Sequence, residues 1–470
     1  MRNIAFVLES DELISMDYGG GGPIATRNIA EGLAHFYRII YLPSPLSLYK
    51  IWNQLGETEF TRRVIKLEDK GIILPPFLRN MEKSGYGEVE LLQKIPSCVL
   101  GKYFEEAKNA DILFNSNFYL PGNDNIESSI TFRLGAEIRK PLVLYVHGLG
   151  DLRPEFLHYI KILLKEYGIQ FPLTSLVRYR PTSIQPGLAP SLSCSEFAMK
   201  VRKLLTYFSQ FKKTESVWRV LSKSNVDVTV VSDTAGSIDN LRVRRFNLPT
   251  RQIEPSSFDT HLLDFAGTQK KDNVVFFARI SPFKGVVEAI RAFSILLGEF
   301  PGLKLSIVGK VSGFKIQERI LQVIRQKGLS EHVTLLGFLS DDELYKIVSS
   351  AKVTIYPTHA DAMSRVILES LALGTPVVTY GIPGVKFAYS EIDQVKLVKE
   401  FDVTELANGV ASLLKLNDEE YHAFMHDHKL HTFLRERETW NRTLTNLVNL
   451  IDEKMERSNF TGSITGLPKP

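Results

Sequence analysis

The chain holds 470 residues, room for two sizeable α/β cores. Its 44% hydrophobic and 23% charged content is that of a globular protein and excludes a disordered or fibrous chain. A formal net charge of +4 gives no chain-wide attraction for nucleic acid, and no apolar run reaches the roughly 18 residues a membrane span needs.

MRNIAFVLES has too short an apolar stretch for a secretory leader and reads as a first buried strand over Ile4–Leu8. The Gly19–Gly22 run and Pro23 follow, then a helical pattern through Ile29, Leu33 and Phe36. Glycines before a helix let backbone approach a ligand and leave amides open to an anion. Gly20 to Ala25 also fits a loose G-x-G-x-x-A pattern. These glycines lie some ten residues past the strand, and the second strand, Ile39–Leu42, ends in Pro43 with no acid for a ribose. Residues 43–100, with Pro43, Pro45, Pro75 and Pro76, read as irregular. Cys98 and Cys194 have no metal or redox spacing and read as buried thiols of a reducing compartment.

Ile112–Asn115 reads as a strand. LVLYV, ending at Val146, has the continuous apolar pattern of a parallel strand buried on both faces, and His147 stands at its carboxyl end, where doubly wound sheets bind ligands. From Leu149 to Lys223 the residues Arg153, Lys161, Lys165, Arg178, Arg180 and further lysines and arginines outnumber the acids, interleaved with aromatic and aliphatic side chains. This segment suits an anionic membrane surface, or equally a core-facing helix pair with solvated lysines. Val228–Ser232 is a further strand. Residues 250–272 carry polar and turn residues and read as a linker.

The second half alternates strand and helix: Val274–Ala278, Val286–Leu297, Leu305–Val308, Val333–Leu336, Asp341–Ser349 and Val353–Tyr356. Its apolar strands indicate a parallel sheet covered on both faces. No P-loop and no Asp-x-Asp occurs, so a metal-bridged diphosphate lacks its usual anchor. Arg279 and Lys284 follow a strand end, where a guanidinium fork and an ammonium suit phosphate oxygens. Next comes DAMSRVILESLALGTPVVTYGIPG from Asp361, in which Ser364 is a natural N-cap and Gly374 a natural stop. Asp361 falls in a strand-to-helix loop and Glu369 on the helix. Free helix amides suit a diphosphate, and a nearby carboxylate suits paired sugar hydroxyls, which together describe a nucleotide sugar. His422, His426, His428 and His431 cluster later without a third ligand in a cleft, so no metal site is expected. Trp440–Ile451 reads as a last amphipathic helix, with 457–470 a frayed tail.

These residues resemble the retaining, GT-B-fold glycosyltransferases of family four. The family signature Glu-x7-Glu followed by Ala-x-Gly-Thr-Pro-Val-Val is matched by Asp361-x7-Glu369 and Ala372 to Val378. Arg279 and Lys284 resemble its diphosphate-binding pair, Gly19 to Gly22 its glycine loop, His147 its active-site histidine, and Trp440 the residue opening its return helix. The resemblance is specific over 274–385, looser over 1–150, and does not extend to 151–225.

The resemblance implies an α/β chain with two Rossmann-like domains facing across a cleft and a C-terminal helix crossing back. The expected domains are 1–255 on the acceptor side, 256–435 binding the donor, and 436–470 as return helix and tail. It implies that His147, Asp361, Arg279 and Lys284 serve catalysis. The donor would be bound by Arg279, Lys284, the Gly20–Gly22 loop, Gly337–Leu339 (with Phe338 between them), the amides of Met363, Ser364, Arg365 and Val366, and Glu369. The activity implied is metal-independent hexosyl transfer from a nucleotide diphosphate sugar, without a cofactor. The partners would be that donor and a glycan or lipid-linked acceptor, with no nucleic acid, at the cytoplasmic membrane face through the basic segment. Two departures stand out: Asp361 is one methylene shorter than the usual Glu, and Ala362 to Arg365 replaces the usual Gly-Phe-Gly. A sugar-nucleotide-binding subunit without turnover and a nicotinamide oxidoreductase using the glycine loop stay open as alternatives.

Overall fold

The computed structural model describes residues 1–9, 11–15, 21–79, 97–118, 129–146, 217–224, 226–233, 243–254, 257–267, 270–311, 314–361 and 363–464. The chain divides into two compact units. The first comprises 1–150, 210–256 and 440–470, and the second 151–209 and 257–439.

The first unit carries β1 (Asn3–Leu8), β2 (Arg38–Pro43), β3 (Ile72–Ile73), β4 (Ile112–Asn115), β5 (Leu142–Val146), β6 (Val228–Ser232) and β7 (Thr250–Gln252). They form one sheet in the order β3-β2-β1-β4-β5-β6-β7, with every pairing parallel. β4, β5 and β6 are buried along their whole length, as apolar strands covered on both faces must be. The helices include α1 (Gly21–Ala34), α2 (Pro45–Glu68), α3 (Ser97–Lys108) and α4 (Ile130–Ile138). Gly21 and Gly22 therefore form the first turn of α1 rather than a loop before it.

Part of the stretch read as irregular is α2. Gly56 (φ 74°) kinks it, so the buried stripe Leu48, Ile51 resumes in a new phase as Phe60, Val64 and Leu67. Cys98 is exposed rather than buried, because α3 turns Val99, Leu100, Tyr103 and Ala107 inward and leaves its second residue outside that stripe.

The second unit carries β8 (Lys271–Phe277), β9 (Lys304–Val308), β10 (Val333–Gly337), β11 (Ala351–Tyr356), β12 (Val377–Tyr380) and β13 (Val395–Val398), all parallel, in the order β10-β9-β8-β11-β12-β13. Its helices include α5 (Val286–Leu296), α6 (Asp341–Ser350), α7 (Arg365–Ala372) and α8 (Val403–Leu414). In both sheets the strand order reverses beside the first strand, between β1 and β4 and between β8 and β11. At such a reversal the following connections diverge to opposite faces and leave a crevice at the carboxyl ends. The 250–272 stretch is not a plain linker: it holds β7, a 3-10 turn over Thr260–Phe265 whose Leu262 is buried, and the start of β8.

α9 (Asn441–Ile464) returns to the first unit and continues past the point where a frayed tail was expected. It buries Leu447, Leu450, Ile451 and Met455 in that unit's core. Polar ties flank this stripe: Tyr37 Oη donates to Asp452 at 2.9 Å, and Lys454 Nζ lies 2.7 Å from Asp227. Trp440 packs partly buried against the same core just before the helix begins.

Candidate functional site at the β8–β11 strand ends

β8 and β11 are neighbours at the strand-order reversal, and the segments leaving them meet. Gly285, after the 3-10 turn Pro282–Lys284, has φ 71°. A Cβ there would lie 2.0 Å from the Pro357 carbonyl oxygen, so only glycine lets the two segments approach. The approach brings Lys284 Nζ to 2.9 Å from Asp361 Oδ2 and 3.0 Å from the Ala360 carbonyl. Tyr356, the last residue of β11, donates its hydroxyl to the same carboxylate oxygen at 2.6 Å.

The Lys284 and Asp361 side chains are 17% and 19% exposed, enough to be reached from solvent but too little for water to screen them fully. Burial pulls the Lys284 ammonium down, but the charge and hydrogen bond of Asp361, with Tyr356, outweigh it and raise its pKa. Burial and the Asp361 charge likewise push the Tyr356 hydroxyl up, so it stays a donor.

α7 begins at Arg365, seven residues after Thr358. Ser364 stands in extended conformation as its N-cap, and the Ser364 carbonyl accepts from Tyr389 Oη at 2.6 Å. The Ser364 hydroxyl is buried yet has no hydrogen-bond partner among the described residues. A helix N-terminus with open amides and an unspent buried hydroxyl suits an anion. On the first turn of α7, Arg365 pairs with Glu369, Nη2 to Oε1 at 2.8 Å and Nε at 3.1 Å. Burial lowers the Arg365 pKa, while the Glu369 charge and hydrogen bond outweigh it and hold the guanidinium charged. Glu369 is thus already engaged, and any sugar hydroxyl it accepts from competes with Arg365.

Of the expected site residues, Lys284 and Asp361 come together, as do Arg365 and Glu369 with Ser364 at the helix start. Met363 and Val366 flank that start, both half-buried. Arg279 stands exposed past β8 and makes no ion pair among the described residues. Gly337 (φ 72°) ends β10 at the sheet edge, followed by Phe338, which is 78% exposed, and half-buried Leu339. His147 and Gly20 lie outside the described residues, as does most of the basic segment.

Sequence reasoning passed over several groups. Lys270 is largely buried, donating to the Ser349 carbonyl at 2.7 Å and Thr375 Oγ1 at 2.8 Å, and burial lowers its pKa to about 7. At the corresponding reversal of the first unit, Glu9 accepts from Ser129 Oγ at 2.5 Å and from the amides of Ile130 and Thr131. Asp11 accepts from Tyr41 Oη at 2.5 Å and from the amides of Ile14 and Ser15. Both carboxyls are pushed up by burial, which these hydrogen bonds only partly offset. A run of Glu and Asp after a first strand was the available signal.

A cavity of about 610 Å³ in the first unit, lined by Arg219, Lys223 and Arg245 among others, opens at the amino ends of β6 and β7, the end of the sheet opposite that crevice. The C-terminal histidines do not converge on a common point: the His422 and His426 rings stack face to face at 3.8 Å, and His426 Nδ1 is bonded to the His422 carbonyl. Among the described residues no group of three or more His, Cys, Asp or Glu is placed to hold a metal ion, and no helix is long and apolar enough to cross a membrane.

Residues 264–429 match the family model described as glycosyl transferases group 1. The chain is 33% identical over 147 residues to a D-inositol 3-phosphate glycosyltransferase of Acidothermus cellulolyticus, covering 30% of this chain and 33% of that protein. It is 26% identical over 200 residues to the poly(glycerol-phosphate) alpha-glucosyltransferase of Bacillus subtilis, covering 40% and 28%. The chain thus spans about a third of the length of the curated relatives it matches. A crystal structure of Anabaena HepE in complex with UDP and glucose superposes with a TM-score of 0.59 at 17% identity, covering 96% of this chain and 99% of that one. At that identity the likeness is one of fold, and it extends over both units.

Proposed function

From the match of residues 264–429 to the glycosyl transferases group 1 model, we propose that the chain transfers a sugar from a nucleoside diphosphate sugar to an acceptor hydroxyl with retention at the anomeric carbon. The observation that carries the reading is the Lys284–Asp361 pair at the β8–β11 reversal, a short step in sequence from the α7 N-terminus. Lys284 donates to Asp361 and to the Ala360 carbonyl, with the Tyr356 hydroxyl beside it. Its ammonium charge serves a phosphate oxygen. With Arg279 and the amides from Met363 to Val366, it neutralises the leaving diphosphate without a metal.

Asp361, held by Lys284 and Tyr356, accepts from hydroxyls of the donor sugar. Glu369 takes the ribose hydroxyls as Arg365 turns toward the added phosphate charge. Phe338, exposed past β10, is the face offered to the base, with Gly337 and Leu339 beside it. No side chain needs to attack the anomeric carbon when the acceptor enters on the side the diphosphate leaves.

A UDP-sugar is the first donor to test, since the structural relative HepE was crystallised with UDP and glucose. The names of both curated relatives carry a phosphate-bearing polyol. Together with the basic surplus from Leu149 to Lys223, this favours an anionic acceptor, free or lipid-linked, at the cytoplasmic membrane face. The test is proton NMR of the full chain with UDP-, GDP- and ADP-sugars and inositol phosphate or glycerol phosphate oligomers. An axial donor sugar should give an axial product, and an equatorial first-formed product defeats the reading.

A further inference from the structure

His359, two residues before Asp361, is fully buried between two carboxylates from distant parts of the second unit. Its Nδ1 lies 2.6 Å from Glu400 Oε1, in the segment after β13, and its Nε2 lies 3.2 Å from Glu288 Oε1 on α5. The side chains of His359 and Glu288 are 0% and 3% exposed, and that of Glu400 is 24% exposed. A neutral imidazole carries one N–H and cannot donate at both nitrogens, whereas the imidazolium can. An ionised carboxylate as buried as Glu288 is stabilised by a cation beside it.

Aromatic rings complete the enclosure. Phe401 lies tilted against the imidazole with centroids 4.7 Å apart, and Tyr380 from β12 lies at 5.1 Å. Phe401 holds φ 67°, a left-handed conformation that a phenylalanine adopts only when its surroundings compel it. The backbone joins the same device: His359 N–H donates to the Phe283 carbonyl at 2.8 Å, in the turn that carries Lys284.

We propose that His359, clamped as an imidazolium by Glu288 and Glu400, is a positioning residue that locks the Pro357–Asp361 segment onto the Lys284 turn and so holds Asp361 opposite Lys284. Its kinetic consequence rests on the sugar-transfer reading, while the lock itself does not. Among the described residues, those facing the ring include Glu288 from α5, Glu400 and Phe401 from the segment after β13, and Tyr380 from β12. Lys284 and Asp361 on the adjoining segments are paired with each other.

Burial pulls the His359 imidazole toward the neutral form, and the hydrogen bonds and charges of Glu288 and Glu400 outweigh it, so its pKa is raised. A raised histidine contributes order that is complete below its unfolded pKa and is lost as pH rises through the folded value. The lock is therefore firm in mild acid and opens on the alkaline side.

The experiment is hydrogen exchange of the Thr358–Asp361 amides in the unliganded full chain from pH 6 to 9, expressed as protection over intrinsic rates, in wild type, Glu400→Gln and His359→Gln. Glu400 is partly exposed, so Glu400→Gln leaves the core intact. Wild-type protection should fall as pH rises. In Glu400→Gln the fall should move about one pH unit lower, and in His359→Gln protection should be low and flat. Donor KM should rise at least fivefold in both variants, with the alkaline limb of the rate profile moving with Glu400→Gln. Equal, pH-independent protection in all three proteins overturns the proposal. A wild type that shows the pH-dependent lock but transfers no sugar refutes the function and leaves the lock standing, because exchange is read without substrate.

Discussion

The two sheets place charged groups at equivalent points and use them differently. After β1, Glu9 and Asp11 turn inward and spend their oxygens on amides and hydroxyls of their own surroundings, Glu9 by closing the start of α4. After β8 and β11, Lys284 and Asp361 pair with each other and stay partly open to solvent. A carboxylate that closes a helix end is consumed by the fold. A carboxylate held by a cation at a strand-order reversal stays chemically available. The acids of the two sheets thus differ in partner rather than in position.

The comparison is broken most severely at Lys284. Lys284→Ala removes the ammonium proposed to face the donor and leaves Asp361 without its cation. A loss of roughly 10²–10³-fold in kcat/KM is expected, of the size seen when one charge-stabilising donor is removed. Steady-state kinetics with the donor found by NMR checks it.

Next in size is Lys270, a largely buried amine of the second unit. Its folded pKa, about 7, lies below that of a free lysine. A depressed pKa contributes stability that is present above the unfolded value and is lost as pH falls through the folded one. Wild type should therefore gain stability relative to Lys270→Met between pH 7 and 10, on the order of a few kcal/mol. Denaturant melts of both proteins across that range measure it.

Glu369 and Glu9 then sharpen the contrast. Glu369→Ala should weaken nucleoside diphosphate binding about 10-fold, the value of one charged hydrogen bond, with melting little changed. Glu9→Ala should leave that affinity unaltered and cost about 1–2 kcal/mol of first-unit stability through the lost cap. Calorimetric titration and thermal melting separate the two. The smallest effect belongs to Phe338. Being 78% exposed, it contributes almost nothing to folding, so Phe338→Ala should change stability by less than about 0.5 kcal/mol while altering the preference among UDP, GDP and ADP a few-fold.

Much of this was legible in the residues. Apolar runs placed Ile112–Asn115 and Val228–Ser232 to the residue, and the spacing from Asp361 to Val378 marked the strand–loop–helix–strand unit. β7 and β13 were missed because an edge strand such as Thr250–Gln252, half exposed and polar, carries no apolar run, and Val395–Val398 buries only its two ends. α2 was missed because Gly56 shifts the phase of its apolar stripe. His359 was invisible for another reason: its partners lie 71 and 41 residues away, and no local pattern marks a pairing made only by folding. Tyr356 read as one more apolar strand residue, and its hydroxyl gained meaning only when Asp361 was found 2.6 Å away.

The most direct test is calorimetric titration of UDP, GDP and ADP into wild type and into the Lys284→Ala, Glu369→Ala double variant, with folding verified by melting. The account predicts that wild type binds at least one of the three and that the folded double variant loses at least about 100-fold in affinity, as two charged contacts imply. A folded double variant that binds that nucleotide as tightly as wild type would contradict it.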